Sequence, residues 1–519
     1  MLPVVLSATF VQLLNVTAAQ VAAPAIQAGL GAGPGAVQLV LAGYTLTYAC
    51  LLIPAARLGD RYGYRRLFVA GTVVFTAGSV AGAFAPDAAS LITARLVQGS
   101  GSGLVAPQVL SLIHAATPAA RRSRALGSYG ATMAVASLAG PLIGALVLSA
   151  DLFGLGWRPV MLLTVPVALA SLAGSTALPR SRGADKLRVD KLGALLVTVG
   201  AGALVLPLTL GREVGWPCWT WAGFAVAVAA LAHFVRSLPH RPDPLIHPAV
   251  LRDWSARRGT LLVFVFNTGV PSFTYLLFLH LQSAVGYSPL AAALTSAPFA
   301  AAAAAVFGSR AAPALVRRHG PTVLTVASLV LAGMCLALAP LVGSAAERQA
   351  ALPVLAVGGA AFGAFTASVF TLVLAEVHGA AAGSVSGLLP TAQQLGGSIG
   401  VTAAGLAYYA PAADADTAFR HAMLYQVVAF TITALISLRL RHRPGPEPVH
   451  GHSSHSGEAR IQLERPQTLR ASVGPAWARC RQGAASLVVE ERRPPPGGEG
   501  TEGAGGVGHA DVVAPTAAS

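Results

Sequence analysis

Apolar residues run along this chain in blocks of about twenty, each broken by a short stretch in which Arg, Pro, Gly or Asp gathers. Fourteen blocks can be counted, at about 3–27, 37–56, 67–85, 90–114, 125–149, 159–178, 192–210, 218–236, 259–282, 289–308, 321–343, 351–375, 385–408 and 419–438. Within a block the apolar side chains fall on every face, which is neither the alternation of a strand nor the single stripe of a helix on a soluble core. About twenty helical residues cross the ~30 Å hydrocarbon core of a bilayer. The pattern therefore predicts an all-α membrane protein with fourteen spanning helices. The seventh and eighth blocks are separated only by a turn at Gly211–Pro217.

Composition agrees. Of 519 residues, 54% are hydrophobic and 11% charged, where a soluble domain carries about a quarter charged residues. Mean hydropathy is +0.63. Such a chain needs a solvent that accepts apolar surface all round, and the lipid bilayer is its expected partner. The formal charge of +15 is spread over short clusters between blocks, with no basic domain to hold a phosphate backbone, so no nucleic-acid partner is expected. Cys50, Cys218, Cys335 and Cys480 have neither metal-ligand nor redox spacing. No basic residue precedes the first block, which therefore reads as a spanning helix rather than a secretion leader.

Charge placement sets the expected topology. With both termini in the cytoplasm, one set of loops holds 23 basic residues, among them Arg57, Arg61, Arg65, Arg66, Arg121, Arg122 and Arg124, and the opposite set holds 4, namely Arg158, Arg212, Arg348 and Arg420. This is the positive-inside asymmetry, and it requires an even number of spans. A faint repeat joins the halves: Leu58-Gly59-Asp60-Arg61-Tyr62-Gly63 follows the second block, and Leu315-Val316-Arg317-Arg318-His319-Gly320 follows the tenth. Related halves are the mark of a six-plus-six transporter, with the seventh and eighth helices inserted between them. The expected divisions are a six-helix bundle at 1–178, an inserted pair with linkers at 179–258, a second six-helix bundle at 259–443 and a tail at 444–519. The tail is rich in Pro, Gly, Ser and charge, a composition that cannot bury a core. His450, His452 and His455 read there as scattered polar residues, not as a metal site.

Three motifs carry chemistry. The second loop reads Ala56-Arg57-Leu58-Gly59-Asp60-Arg61-Tyr62-Gly63-Tyr64-Arg65-Arg66. Gly59 and Gly63 permit a tight reversal, Arg61, Arg65 and Arg66 anchor it at the membrane surface, and Asp60 is its single acid. The fourth block carries Arg95-Leu96-Val97-Gln98-Gly99 with Gly101 and Gly103. Burying Arg95 costs roughly 2.5–3.5 kcal/mol on insertion scales, so a polar cavity or a partner is expected beside it. Gly99 and Gly103 offer a small-residue packing face. The fifth block holds Gly140-Pro141-Leu142-Ile143-Gly144, a kink flanked by sites of close helix approach.

The loop resembles the signature of the major facilitator superfamily, with Ala56 where Gly is usual. The Arg95 and Gly140 segments resemble the second signature and the antiporter motif of its drug exporters. The first block, Leu14-Asn15-Val16-Thr17 and Gln20 to Pro24, looks like the first helix of the fourteen-helix drug:proton antiporters, as do Gln282 with Gly286 to Pro289 and Gln394 to Gly397. The resemblance implies two six-helix bundles plus a central pair, and export of drugs or antibiotics across the plasma membrane by alternating access. It implies that Asp60 latches the halves, facing the helix that begins near Ser384; as the single acid in a basic loop, Asp60 is expected to take Arg121, Arg122 or Arg124 as charge partner. It makes Asn15, Gln20, Arg95, Gln98 and Asn267 candidate transport-pathway residues. The departure is Asn15, where the family generally has Asp. Asn cannot titrate, and none of the 20 acidic residues lies deep within a block, so proton coupling by a buried carboxylate is not expected. His280 and Glu376 are the remaining candidates for coupling. No phosphate-cradling loop or catalytic constellation appears. The expectation is a monomeric transporter of small amphiphilic molecules with no cofactor or metal and no enzymatic activity.

Overall fold

A computed structural model describes residues 1–179, 190–241, 244–309, 311–341, 345–377, 380–410 and 414–440 of the chain. The described residues contain helices and no strand. The apolar blocks become α1 (Leu2–Leu30), α2 (Pro34–Tyr62), α3 (Tyr64–Ala83), α4 (Ala88–Ala116), α5 (Ala119–Ser149), α6 (Arg158–Ala177, interrupted after Leu162), α7 (Lys191–Leu210) and α8 (Cys218–Ser237). They continue as α9 (Trp254–Ser283), α10 (Pro289–Phe307), α11 (Thr322–Leu338), α12 (Ala345–Glu376), α13 (Ala380–Tyr408) and α14 (Ala415–Ser437). Among the described residues twelve helices are long and apolar enough to cross a membrane. The other two of the fourteen expected blocks are occupied by α11, which has 17 residues, and by α13, which is 29 residues long but diluted by Thr391, Gln393, Gln394 and Ser398. The tail expected at 444–519 lies outside the described residues.

Helix ends follow local chemistry. Asp87 and Ser90 form a reciprocal capping box at the start of α4, and Asp190, Asp253, Ser288 and Asp414 accept backbone N–H bonds at the starts of α7, α9, α10 and α14. These side chains satisfy donors that a helix leaves orphaned. The α2–α3 reversal turns on Gly63, whose φ of 94° suits glycine alone. Val73, Leu146, Leu329 and Leu435 remain exposed, as side chains meeting lipid would.

The packing repeats with an offset of eight helices. In the first half α1 packs on α5, α2 on α4, and α3 on α4 and α6; in the second, α9 packs on α13, α10 on α12, and α11 on α12 and α14. Between the halves α2 meets α13 and α5 meets α10, a pair of contacts related by the same offset. The α7–α8 hairpin packs through α7 on α2 and α13. At the base of that hairpin the Asp190 carboxylate receives Arg241 in an ion pair, the Gly193 N–H at 2.7 Å and the Leu245 N–H at 3.2 Å. Burial pushes this carboxyl up, but the bonds from Arg241, Gly193 and Leu245 outweigh it and hold the group below the usual carboxylate range.

Candidate functional site: a neutral cavity between the halves

A cavity of about 220 Å³ lies where α1 and α5 face α9, α10, α12 and α13. Its polar lining consists of the carboxamides of Gln20, Asn267, Gln393 and Gln394 and the hydroxyls of Thr17, Ser137, Thr274, Ser296 and Thr366. The apolar lining includes Phe273, Phe278, Phe299, Phe307 and Phe362. Among the described residues no Asp, Glu, Lys, Arg or His borders it. Gln20 donates from Nε2 to the Pro271 carbonyl at 3.3 Å, and Asn267 donates from Nδ2 to the Val263 carbonyl at 2.8 Å. Each amide therefore keeps its oxygen for another partner.

Of the five pathway residues expected from the sequence, Gln20 and Asn267 line this cavity, whereas Asn15, Arg95 and Gln98 do not. These three meet one another instead, inside the first half. Arg95 is 2% exposed. It donates from Nε to the Val40 carbonyl at 3.0 Å and from Nη1 to Asn15 Oδ1 and Gln98 Oε1, both at 2.5 Å. The face of Tyr44 lies 4.5 Å from the guanidinium carbon. Gln98 passes the network on to Ser79 at 2.6 Å, and the Tyr44 hydroxyl bonds Ser102 at 2.6 Å. Among the described residues no carboxylate pairs with Arg95. Arg95 is thus held by neutral oxygens and an aromatic face within the bundle and does not reach out to the membrane surface.

The antiporter-like motif sits beside the cavity. Pro141 lines it. A Cβ at Gly140 would strike the Thr17 side chain, and one at Gly144 would lie 2.9 Å from Ala18 Cβ, so these two glycines let α5 close on α1. Gly99 and Gly103 do the same for α4 on α2: their added Cβ atoms would meet the Tyr44 carbonyl and the Leu51 side chain.

In the signature loop, Gly59 makes room for Gln108 of α4, whose Nε2 donates to the Ala55 carbonyl at 2.8 Å. The Asp60 carboxylate accepts the Tyr64 hydroxyl at 2.9 Å. Among the described residues it forms no ion pair, so neither Arg121 nor Arg124 is its partner here. The side chains of Arg122 and Ser384 lie outside the described residues. Arg61 stacks over Tyr62 at 5.2 Å, Arg65 is half-buried and Arg66 exposed.

Hydrogen bonds between the halves gather toward the end of the bundle where α1 stops at Gly31. Besides Gln20 on Pro271, Gln282 Nε2 donates to the Val21 carbonyl at 3.0 Å and Ser398 Oγ to the Ala42 carbonyl at 3.0 Å. At that end Glu213, from the α7–α8 turn, accepts the Gly35 N–H of α2 at 2.6 Å. The described residues place no such bond between the halves near Asp60. His280, the other coupling candidate, is fully buried at the end of α9, with its ring 4.3 Å from that of Phe419 and Nε2 3.5 Å from an oxygen of the half-exposed Asp416. Glu376 ends α12.

A multi-pass helical membrane protein, with a polar-and-aromatic cavity at the junction of two similarly packed halves, has the architecture of a small-molecule transporter. The chain belongs to the Major Facilitator Superfamily, whose pattern matches residues 5–401. It is 36% identical over 420 residues to a probable actinorhodin transporter of Streptomyces coelicolor, covering 79% of this chain and 72% of that protein. It is 32% identical to the methylenomycin A resistance protein of the same organism, over 83% of this chain and 90% of that one. The cephamycin export protein CmcT of Amycolatopsis lactamdurans is 31% identical, over 76% and 82%. Among solved structures, an auto-inhibited POT family peptide transporter superposes with a TM-score of 0.62 at 13% identity, over 86% of this chain and 98% of that one, a likeness of fold alone. This is a family of transporters, not of enzymes.

Proposed function

We propose that this protein exports small amphiphilic compounds, antibiotics or similar metabolites, across the plasma membrane by alternating access. The observation that carries this reading is the neutral cavity between the halves, bordered by α1 and α5 on one side and by α9, α10, α12 and α13 on the other. Sites at the junction of repeats are where such transporters bind their cargo. The names of the antibiotic-exporting relatives point to the same class of cargo. In this reading the chain acts as a monomer and spans the membrane fourteen times, as bundles 1–178 and 259–443 with the inserted pair in 179–258. Both termini are cytoplasmic, where the Arg-rich loops belong. The bonds gathered at the Gly31 end then close the outer side, and Asp60 latches the inner side at another stage of the cycle.

Coupling does not run through residue 15. Asn15 stays neutral at every relevant pH and is engaged by Arg95, so transport follows the gradient of the substrate itself. Expression in an efflux-deficient bacterial strain tests the export reading. Resistance to at least one amphiphilic compound is expected, and it should be lost when Ala300→Trp fills the cavity. Sensitivity equal to that of the empty vector across the whole panel would overturn the proposal. In proteoliposomes flux should change little with an imposed pH gradient; strong uphill transport driven by pH would direct the search to His280 and Glu376.

A further inference from the structure

The cavity holds information about cargo that the family does not supply. A column of phenyl rings runs out of the second half and ends in it. Phe365, fully buried, stacks on Phe266 with centroids 3.5 Å apart and planes 9° apart. Phe266 lies parallel to Phe362 at 6.2 Å and 4°, and Phe362 to Phe299 at 5.7 Å and 22°. Phe362 and Phe299 border the cavity. The two pairs nearest the cavity, Phe266–Phe362 and Phe362–Phe299, lie at separations where aromatic rings stack offset, so a flat ring system is the shape that continues the column.

The polar groups facing the rings are amides. Gln20 and Asn267 have spent a donor on the backbone and keep their acceptor oxygens. The Gln393 and Gln394 carboxamides make no hydrogen bond to described residues and keep both donor and acceptor. A ligand bearing carbonyl and hydroxyl oxygens at its edge would satisfy them; a bare hydrocarbon would leave them unpaired.

Charge is decided separately. Phenyl faces attract cations as well as flat rings, so the rings alone do not choose. Among the described residues the cavity is bordered by no carboxylate, and a buried charge in the neighbouring bundle is the cation Arg95, held by neutral groups. In a low-dielectric interior an unpaired ligand charge is costly, and a positive one is further repelled by Arg95. The guanidinium does not border the cavity, so it offers no direct seat for an anion either.

We infer that the cargo is an uncharged, flat aromatic compound with hydrogen-bonding oxygens, stacked on Phe299 and Phe362 and read at its edge by Gln393 and Gln394. This rests on the export reading above and narrows it. The test uses purified full-length protein in liposomes and five probes: 2-hydroxyxanthone, unsubstituted xanthone, the same ring system carrying a trimethylammonium side chain, the same ring system carrying a carboxylate, and a saturated steroid ketone of similar size. Expected is protein-dependent uptake, taken as the excess over protein-free liposomes, at least tenfold faster for the neutral xanthone than for either charged form. Phe299→Leu should slow the xanthone about two- to tenfold, the worth of one aromatic contact, and slow any steroid flux less. Gln394→Leu should slow the hydroxyxanthone more than unsubstituted xanthone.

Equal or faster transport of the cation, or of the carboxylate, overturns the inference while export as such stands. So does a Phe299→Leu effect of equal size on xanthone and steroid. Should the variants fail to insert, the charge preference of the parent protein still decides. If the parent moves none of these probes, yet the efflux strain gains resistance to other compounds, the inference alone falls. If it moves nothing and confers no resistance, the export reading falls with it.

Discussion

Replacing Asn15 with leucine should destabilise the protein through Arg95 and leave the cavity intact. The guanidinium sits 2% exposed with three oxygen acceptors, from Val40, Asn15 and Gln98, and no carboxylate among the described residues. A hydrogen bond to a charged group contributes about 1.5–3 kcal/mol, and removing one acceptor leaves the cation as deeply buried as before. Asn15→Leu should therefore cost about 1.5–3 kcal/mol, roughly a ten- to 150-fold shift in the folded-to-unfolded ratio. In an Arg95→Met background the same change removes only a neutral amide and should cost about 1 kcal/mol or less. The assay is a double-mutant cycle on reversible unfolding in mixed micelles, with an expected coupling of about 1–3 kcal/mol. Additivity within about 0.5 kcal/mol would show that Asn15 does not compensate the charge. Asn15→Asp belongs in the same experiment. Asn15 bonds Arg95 and does not line the cavity, so a carboxylate there would pair with the guanidinium. The outcome expected is added stability.

Two further perturbations follow. Gly140→Val should separate α5 from α1, because even a Cβ at this position collides with Thr17; overpacking of this kind costs about 1–3 kcal/mol, so loss of thermal stability with the variant still inserted is expected, and unchanged stability would refute the close approach. The Asp190–Arg241 clasp predicts a pH signature: a carboxyl held below its ordinary value contributes stability above about pH 4 and loses it as pH falls through the lowered value. The stability difference between parent and Arg241→Gln should accordingly stay constant from pH 5 to 8 and shrink below about pH 4, and a difference that grew on acidification would contradict the clasp.

The helices were legible because lipid imposes one rule on nearly every residue of a span: be apolar on all sides. That rule weakens where a helix turns a polar face to a cavity, as in α13, where Gln393 and Gln394 line it and the helix is not among the twelve that qualify on length and apolarity. The α2–α3 reversal was legible too, since Gly63 at φ 94° answers a local backbone demand. The phenyl column was not. Its rings come from α9, α10 and α12, and no sequence spacing relates positions on three helices.

The five candidate pathway residues separate for a reason that helix geometry states simply. Successive residues are turned by about 100°, so Asn15 and Thr17 stand about 200° apart on α1. Thr17 and Gln20 line the cavity with Val16, and Asn15 is turned away toward Arg95 of α4. Gln98 lies three residues beyond Arg95, about 300° round, close enough on the same face to share its guanidinium. The residue that first called attention to coupling is therefore a ligand of a buried cation. A carboxylate in its place would neutralise that cation; asparagine solvates it and leaves the positive charge uncancelled. The same residue that cannot titrate also leaves a positive charge inside the first half, and the inferred preference for uncharged cargo predicts that Asn15→Asp, by pairing that charge, changes stability more than selectivity.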